Sequence, residues 1–272
     1  MQRKLIVLVA LCAVAALLLA GTGCEKLRAR DNLNKGVMAY KSARYAEAVE
    51  FFKAAVALEP TYTNARLYLA TAYMSQYIPG AESPENMQMA QAAHNEFMKV
   101  VEQDPRNPLA IASIASLYFN QKKFDEAREW HQKLIAVDPK AKESFYTLGV
   151  IAWTRSFQRR MEARAKLGMK PEDPGPLKDK KTREAVKESI LPMIEDGIQN
   201  LNKALELDKE YDDAMAYLNL LYRERADLAD SKEAYDKDTD AADQWVQKTL
   251  ETKKIKASRT PVSGIVQDAP RK

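Results

Sequence analysis

Apolar residues recur along this chain at helical spacing, in blocks that repeat. Leu33, Gly36, Val37 and Tyr40 stand three and four apart, which places them on one face of a helix. A second block follows with a small residue at Ala48, a bulky one at Phe52, a smaller one at Ala55, and an acid-proline end at Glu59-Pro60. The same order returns as Ala93, Phe97, Val100 and Asp104-Pro105, as Ala127, His131, Leu134 and Asp138-Pro139, and as Gly197, Leu201, Ala204 and Asp208-Lys209. Proline cannot continue a helix and restricts the residue before it, so each acid-proline pair marks a helix end. The pattern predicts pairs of helices. In the first helix of each pair, Gly36, Ala70, Ala115, Gly149 and Asn219 hold the matching place, where a small side chain lets the second helix come close, as Gly36 does opposite Ala48.

The step from Pro105 to Pro139 is 34 residues. Periods of this size mark stacked helix pairs. The run Leu117-Tyr118-Phe119-Asn120-Gln121-Lys122-Lys123-Phe124-Asp125-Glu126-Ala127 resembles the turn between the paired helices of tetratricopeptide repeats. On that resemblance the fold expected is an all-α solenoid of about five helix-turn-helix repeats, near residues 29–62, 63–107, 108–141, 142–211 and 212–252. Only 9 glycines in 272 residues agree with helices and short turns. The fifth unit carries Ala214, Tyr217, Leu218, Leu221 and Tyr222, then a polar second helix with Trp245 suited to capping a solenoid.

Two repeats are longer than the period. Pro60 to Pro105 spans 45 residues and Pro139 to Lys209 spans 70, so insertions are expected at about 77–87 and 158–189. Ser83 before Pro84 predicts a capped helix start. The second insertion is expected to lengthen a helix from Phe145 to about Leu167, to break at Pro171–Pro176, and to resume near Lys178. Both lie between the two helices of a repeat, and insertions in such proteins gather on a working face.

The first 23 residues stand apart: Arg3 and Lys4 precede the apolar stretch from Leu5 to Ala20, and small residues lead to Cys24. This is the pattern of an export signal. Ala20 to Cys24 resembles a lipobox, although Gly21 stands where that motif has leucine. The resemblance implies acylation of Cys24, and Glu25 in place of aspartate implies the outer membrane, facing the periplasm. An uncleaved anchor and plain secretion are the competing readings, and the apolar stretch of about 16 residues is short of the roughly 20 that a spanning helix needs. Cys12 lies in the apolar stretch, so cleavage leaves Cys24 as the one cysteine and excludes an intrachain disulfide.

An enzyme is not expected. The two histidines, His94 and His131, form no ligand grouping, and no phosphate loop or nucleophile motif is present. His131 takes the bulky place of Phe52 and Phe97 and is expected in the core, with His94 solvated. No cofactor and no metal are implied. Charge is uneven: the net charge is +4, with ten basic and six acidic residues over 158–189 and six basic against one acidic over 253–272. Arg159, Arg160 and Arg164 are therefore candidates for an exposed basic surface. Residues 257–272, with Pro261, Gly264 and Pro270, read as a disordered tail. No nucleic-acid partner is expected.

By register the first helices line a groove with Leu33, Val37 and Tyr40; Leu67, Thr71 and Met74; Ala112, Ser116 and Phe119; and Tyr146, Val150 and Trp153. Tyr40, Met74, Phe119, Tyr146 and Trp153 are its candidate anchors. The lysines and asparagines with which chaperone-binding relatives clamp a carboxylate are missing there, and an apolar groove suits an amphipathic helix or an extended apolar peptide. The expectation is a lipid-anchored envelope adaptor for a protein partner, similar in layout to lipoproteins of outer-membrane assembly and to pilotins. The alternative is a periplasmic protein that holds a small apolar ligand for a transporter.

Overall fold

The computed structural model describes residues 24–259. The apolar stretch, its signal reading and residues 260–272 lie outside the described residues. The chain is all-α, and no strand occurs among the described residues. Helix α1 covers residues 24–41. It is followed by α2 (Tyr45–Leu58), α3 (Thr63–Met74), α4 (Pro84–Gln103), α5 (Pro108–Asn120) and α6 (Phe124–Val137), which form one compact unit. A second unit holds α7 (Lys142–Lys166), α8 (Lys180–Leu207), α9 (Asp212–Ala226) and α10 (Lys232–Arg259). Residues 257–259, expected in the tail, are helical, because Lys256 and Arg259 close ion pairs with Asp212 and Glu210 that hold the last turn. None of the described helices is long and apolar enough to cross a membrane.

The repeated positions do the packing, in a way slightly different from the expectation. A side chain at Gly36 would meet the Phe52 ring at 2.4 Å rather than Ala48, and one at Gly149 would meet Leu201 at 2.4 Å. The glycine of each first helix therefore receives the bulky residue of its own second helix. Phe52 then also stacks on Tyr68 of the next repeat, with ring centroids 5.5 Å apart. In the first unit Phe52 sits among Leu33, Ala48, Val49 and Leu69, a buried cluster where area removed from water holds α1, α2 and α3 together. Gly197 lets α8 approach Ala152 of α7 and Leu221 of α9.

The acid before proline has a second use. Each of these helices ends in an extended residue, with φ −138° at Glu59, −136° at Asp104 and −142° at Asp208. The carboxylates of Asp104, Asp138 and Asp208 then accept from the backbone N–H two residues on, at 3.2, 3.0 and 3.0 Å. This local bond explains why the turn survives at Asp208 without a proline. In the first and third repeats the turn between paired helices is the same: Ala43 (φ 56°) and Lys122 (φ 59°) take the left-handed conformation, and the N–H of the following residue bonds back to Ala39 and Tyr118.

The first insertion is a tight loop. Ser83 caps α4 by accepting from the Asn86 N–H at 3.2 Å. The buried Asn86 amide then accepts from Ile78 N–H at 2.7 Å and donates to the Ile78 and Ala81 carbonyls at 2.9 and 2.7 Å, which fixes the loop without any sheet. In the second, α7 runs on to Lys166, a loop crosses residues 167–179, and Asp179 caps α8 by accepting from Thr182 N–H at 2.7 Å. Met169 and Leu177 of that loop are buried, and Leu177 N–H donates to the Asp227 carbonyl at 3.0 Å. The insertion thus packs onto the turn between α9 and α10.

Candidate functional site

Two of the expected groove anchors come together in the second unit, and they bring three more rings with them. Tyr211 lies 5.1 Å from Tyr146, Tyr146 5.6 Å from Tyr217, Tyr217 5.5 Å from Trp153, and Trp153 5.2 Å from Phe157, centroid to centroid. The five rings form a ladder along neighbouring faces of α7 and α9. Residues at 146, 153 and 157 return to one side of α7, because seven and eleven steps nearly complete two and three turns. Tyr217 enters from α9 and Tyr211 from the turn before it.

A cation closes each end. Lys142 stands 5.3 Å from the Tyr211 ring and donates to Asp208 at 2.7 Å, while the Arg160 guanidinium stands 5.4 Å from the Phe157 ring. Arg160 also makes a forked pair with Glu224, at 2.6 and 3.1 Å, and donates to Asp227 at 2.7 Å. Both cations are thereby neutralised, and the rings between them offer apolar faces with phenol hydroxyls and an indole N–H, while the exposed carboxylates of Glu143 and Asp213 lie near the Tyr211 end. Partial burial pushes the Tyr146 phenol up and raises Tyr211 to about 12, so these two phenols stay neutral. Four rings are half-buried, and Phe157 is 38% exposed.

The remaining anchors lie in the first unit. Tyr40 and Met74 are half-buried, and the Tyr40 hydroxyl is within 2.9 Å of Ser75 Oγ, which ties the end of α1 to the end of α3. Phe119 packs edge-on against Phe124, 5.8 Å away, across its own helix turn. Leu33 and Val150, expected to face the groove, are buried in the packing instead. Leu33 joins the buried cluster around Phe52, where removing its side chain from water is favourable.

The basic surface needs correction. Of its three arginines only Arg159 is exposed. Arg160 is consumed by Glu224 and Asp227, and Arg164 is 1% exposed, donating to Asp227 at 2.8 Å and to the carbonyls of Lys170 at 2.9 Å and Asp173 at 2.5 Å. A buried guanidinium must find acceptors for its donors, and this loop supplies them. Burial pushes the Glu224 carboxyl above its ordinary range, against the pull of Arg160. The two arginines and two carboxylates balance, so the insertion offers less positive surface than its sequence suggested.

His94 is also not solvated: its Nε2 lies 2.9 Å from the Tyr118 hydroxyl, and burial lowers its pKa. His131 is buried as expected, and desolvation lowers it to about 4. Cys24 is exposed at the start of the described part of α1. No grouping of histidine, cysteine and acids among the described residues fits a metal ion. Phe157 carries a sequence signal, four residues after Trp153 on the same helix, whereas Tyr211, the last residue before α9, carries no periodic one.

No curated protein sequence matches the chain. Residues 32–62 and 110–141, the first and third repeats, match the tetratricopeptide repeat family. Solved structures similar in fold include MamA from residue 41 onward of Desulfovibrio magneticus RS-1, at 16% identity, covering 84% of this chain and 96% of that one with TM-score 0.56. A double mutant of MamA from RS-1 aligns at 17% identity, over 85% and 97% of the two chains, with TM-score 0.58. YrrB, described as a tetratricopeptide repeat protein with an unusual peptide-binding site, aligns at 12% identity over 82% and 90%, with TM-score 0.51. The chain carries tetratricopeptide repeats within an all-α fold shared with these structures.

Proposed function

We propose that this protein is a non-catalytic adaptor that captures an apolar segment of a partner protein on the aromatic ladder. The observation that carries the reading is the unbroken run of rings from Tyr211 to Phe157, with the cations at both ends already paired. Aromatic side chains give large contact area at low entropic cost, and Tyr and Trp dominate binding hot spots. The peptide-binding site named for YrrB supports the same use of a similar fold. The basic start, the apolar stretch and the exposed Cys24 support an acyl anchor in the bacterial envelope, at the outer membrane and facing the periplasm. The expected partner is then an envelope protein.

A photo-reactive phenylalanine in place of Phe157, compared with one at exposed Lys203 on α8, tests the capture surface. Crosslinks to an envelope protein from position 157, lost with Trp153→Ala, are expected. Equal yields from both positions, or crosslinks that survive Trp153→Ala, overturn the reading. Intact mass of the envelope-extracted protein tests the anchor: an acylated Cys24 as the first residue is expected, and an unmodified Cys24 or a retained Met1 overturns it.

A further inference from the structure

The end of α10 and the head of the ladder are in the same place. Arg259, the last residue of α10, donates to both Glu210 carboxylate oxygens at 2.7 and 2.8 Å, and Lys256 pairs with Asp212. Between those two acids stands Tyr211, the first ring of the ladder. The chain therefore leaves α10 beside Tyr211.

Residues 260–272 continue the chain from that point, with Pro261, Val262, Ile265, Val266 and Pro270 as their apolar members. Extended, that segment reaches about 43 Å, whereas Tyr146 to Phe157 is eleven helical steps, about 17 Å. Chain length covers the ladder more than twice over. The segment also suits the surface chemically: β-branched side chains and prolines lie flat on aromatic faces, and between Arg259 and Arg271 it carries one charged residue, Asp268.

We infer that residues 260–272 occupy the aromatic ladder as an internal competitor for the partner segment, an inference that rests on the ladder being the capture surface. The segment then also indicates the outside ligand's chemistry, an extended peptide with β-branched residues and proline rather than an amphipathic helix. A tether of this length holds its end at about millimolar effective concentration. A contact with a dissociation constant of about 0.1 mM would occupy the ladder about nine-tenths of the time, and would weaken apparent outside binding about tenfold.

The test uses the full chain with the photo-reactive residue at position 157, and as ligand probe a synthetic peptide of residues 260–272. The expected result is a crosslink within one chain between position 157 and residues 260–272, independent of protein concentration. Ile265→Asp with Val266→Asp should remove that crosslink and tighten binding of the added wild-type peptide about tenfold, with helical content unchanged. The inference is overturned if the tail is never crosslinked, if crosslinks join two chains, or if the double variant binds the peptide no better. Crosslinks to an envelope protein without any to the tail would overturn this inference and leave the adaptor reading standing. Tail crosslinks in a chain that captures no envelope protein would do the reverse.

Discussion

Arg164 and Asp227 form a 2.8 Å ion pair although 63 positions separate them, and both are buried. One belongs to the insertion in the fourth repeat and the other to the turn after α9. Arg160 reaches the same carboxylate at 2.7 Å, so Asp227 is shared by two guanidinium groups. Removing one member of a buried network leaves uncompensated charge in a poor solvent. Asp227→Ala should therefore destabilise the protein by about 3–5 kcal/mol, while Arg159→Ala on the exposed side should stay within about 0.5 kcal/mol. Replacing Arg160 by Met and Glu224 by Leu together should cost less than either alone. Urea unfolding followed by circular dichroism measures all five variants, and equal midpoints for Asp227→Ala and Arg159→Ala would remove the network from the stability account.

The glycine-to-bulky contact gives a second prediction. A methyl at Gly149 would fall 2.4 Å from Leu201, with the helix backbone fixed on one side and a branched side chain on the other. Gly149→Ala gains helix propensity but should lose about 1–3 kcal/mol by overpacking. Leu201→Ala leaves a cavity, and the double variant should recover part of both losses, a coupling that a double-mutant cycle reads directly. Strict additivity would show that the two residues do not press on each other.

The repeat pattern made the helix pairs, the acid-proline ends and the core place of His131 legible, because each follows from local geometry repeated several times. Partnerships that cross between repeats were not legible. Arg160 and Arg164 read as solvated cations since their acids, Glu224 and Asp227, lie more than sixty residues away and belong to a different repeat. His94 read as solvated for the same reason, its partner Tyr118 being on the following repeat's first helix. Of the ladder, Tyr146 and Trp153 were found from their register on α7. Tyr211 precedes α9 and lies outside any helical periodicity.

His131 supplies a pH prediction. Burial lowers its folded pKa to about 4, against about 6.5 when unfolded. Between those values the unfolded chain binds a proton that the folded chain does not, so stability rises with pH in this window. The contribution is fully present above about pH 6.5 and falls away as pH drops toward 4, by up to about 3 kcal/mol. His131→Phe, the residue found at Phe52 and Phe97, should flatten that part of the profile. Denaturant midpoints at several pH values check it, and a variant as acid-sensitive as the wild type would assign the loss to other groups.

Salt dependence separates the ladder from the basic insertion as the capture surface. Binding to the ladder is dominated by apolar area, since Lys142 and Arg160 are already paired with Asp208 and with Glu224 and Asp227. Partner affinity should therefore change little between about 0.1 M and 1 M salt, conditions over which exposed charge attraction is screened. Trp153→Ala and Phe157→Ala should each weaken capture by about 2 kcal/mol or more, as truncated hot spots do, while Arg159→Glu leaves it unchanged. Titration calorimetry with the crosslinked partner measures these affinities. A steep fall with salt, joined to loss of binding in Arg159→Glu and retention in Phe157→Ala, would move the site to the cleft between α7 and α8, where Arg159, Lys166 and Lys181 are the exposed cations.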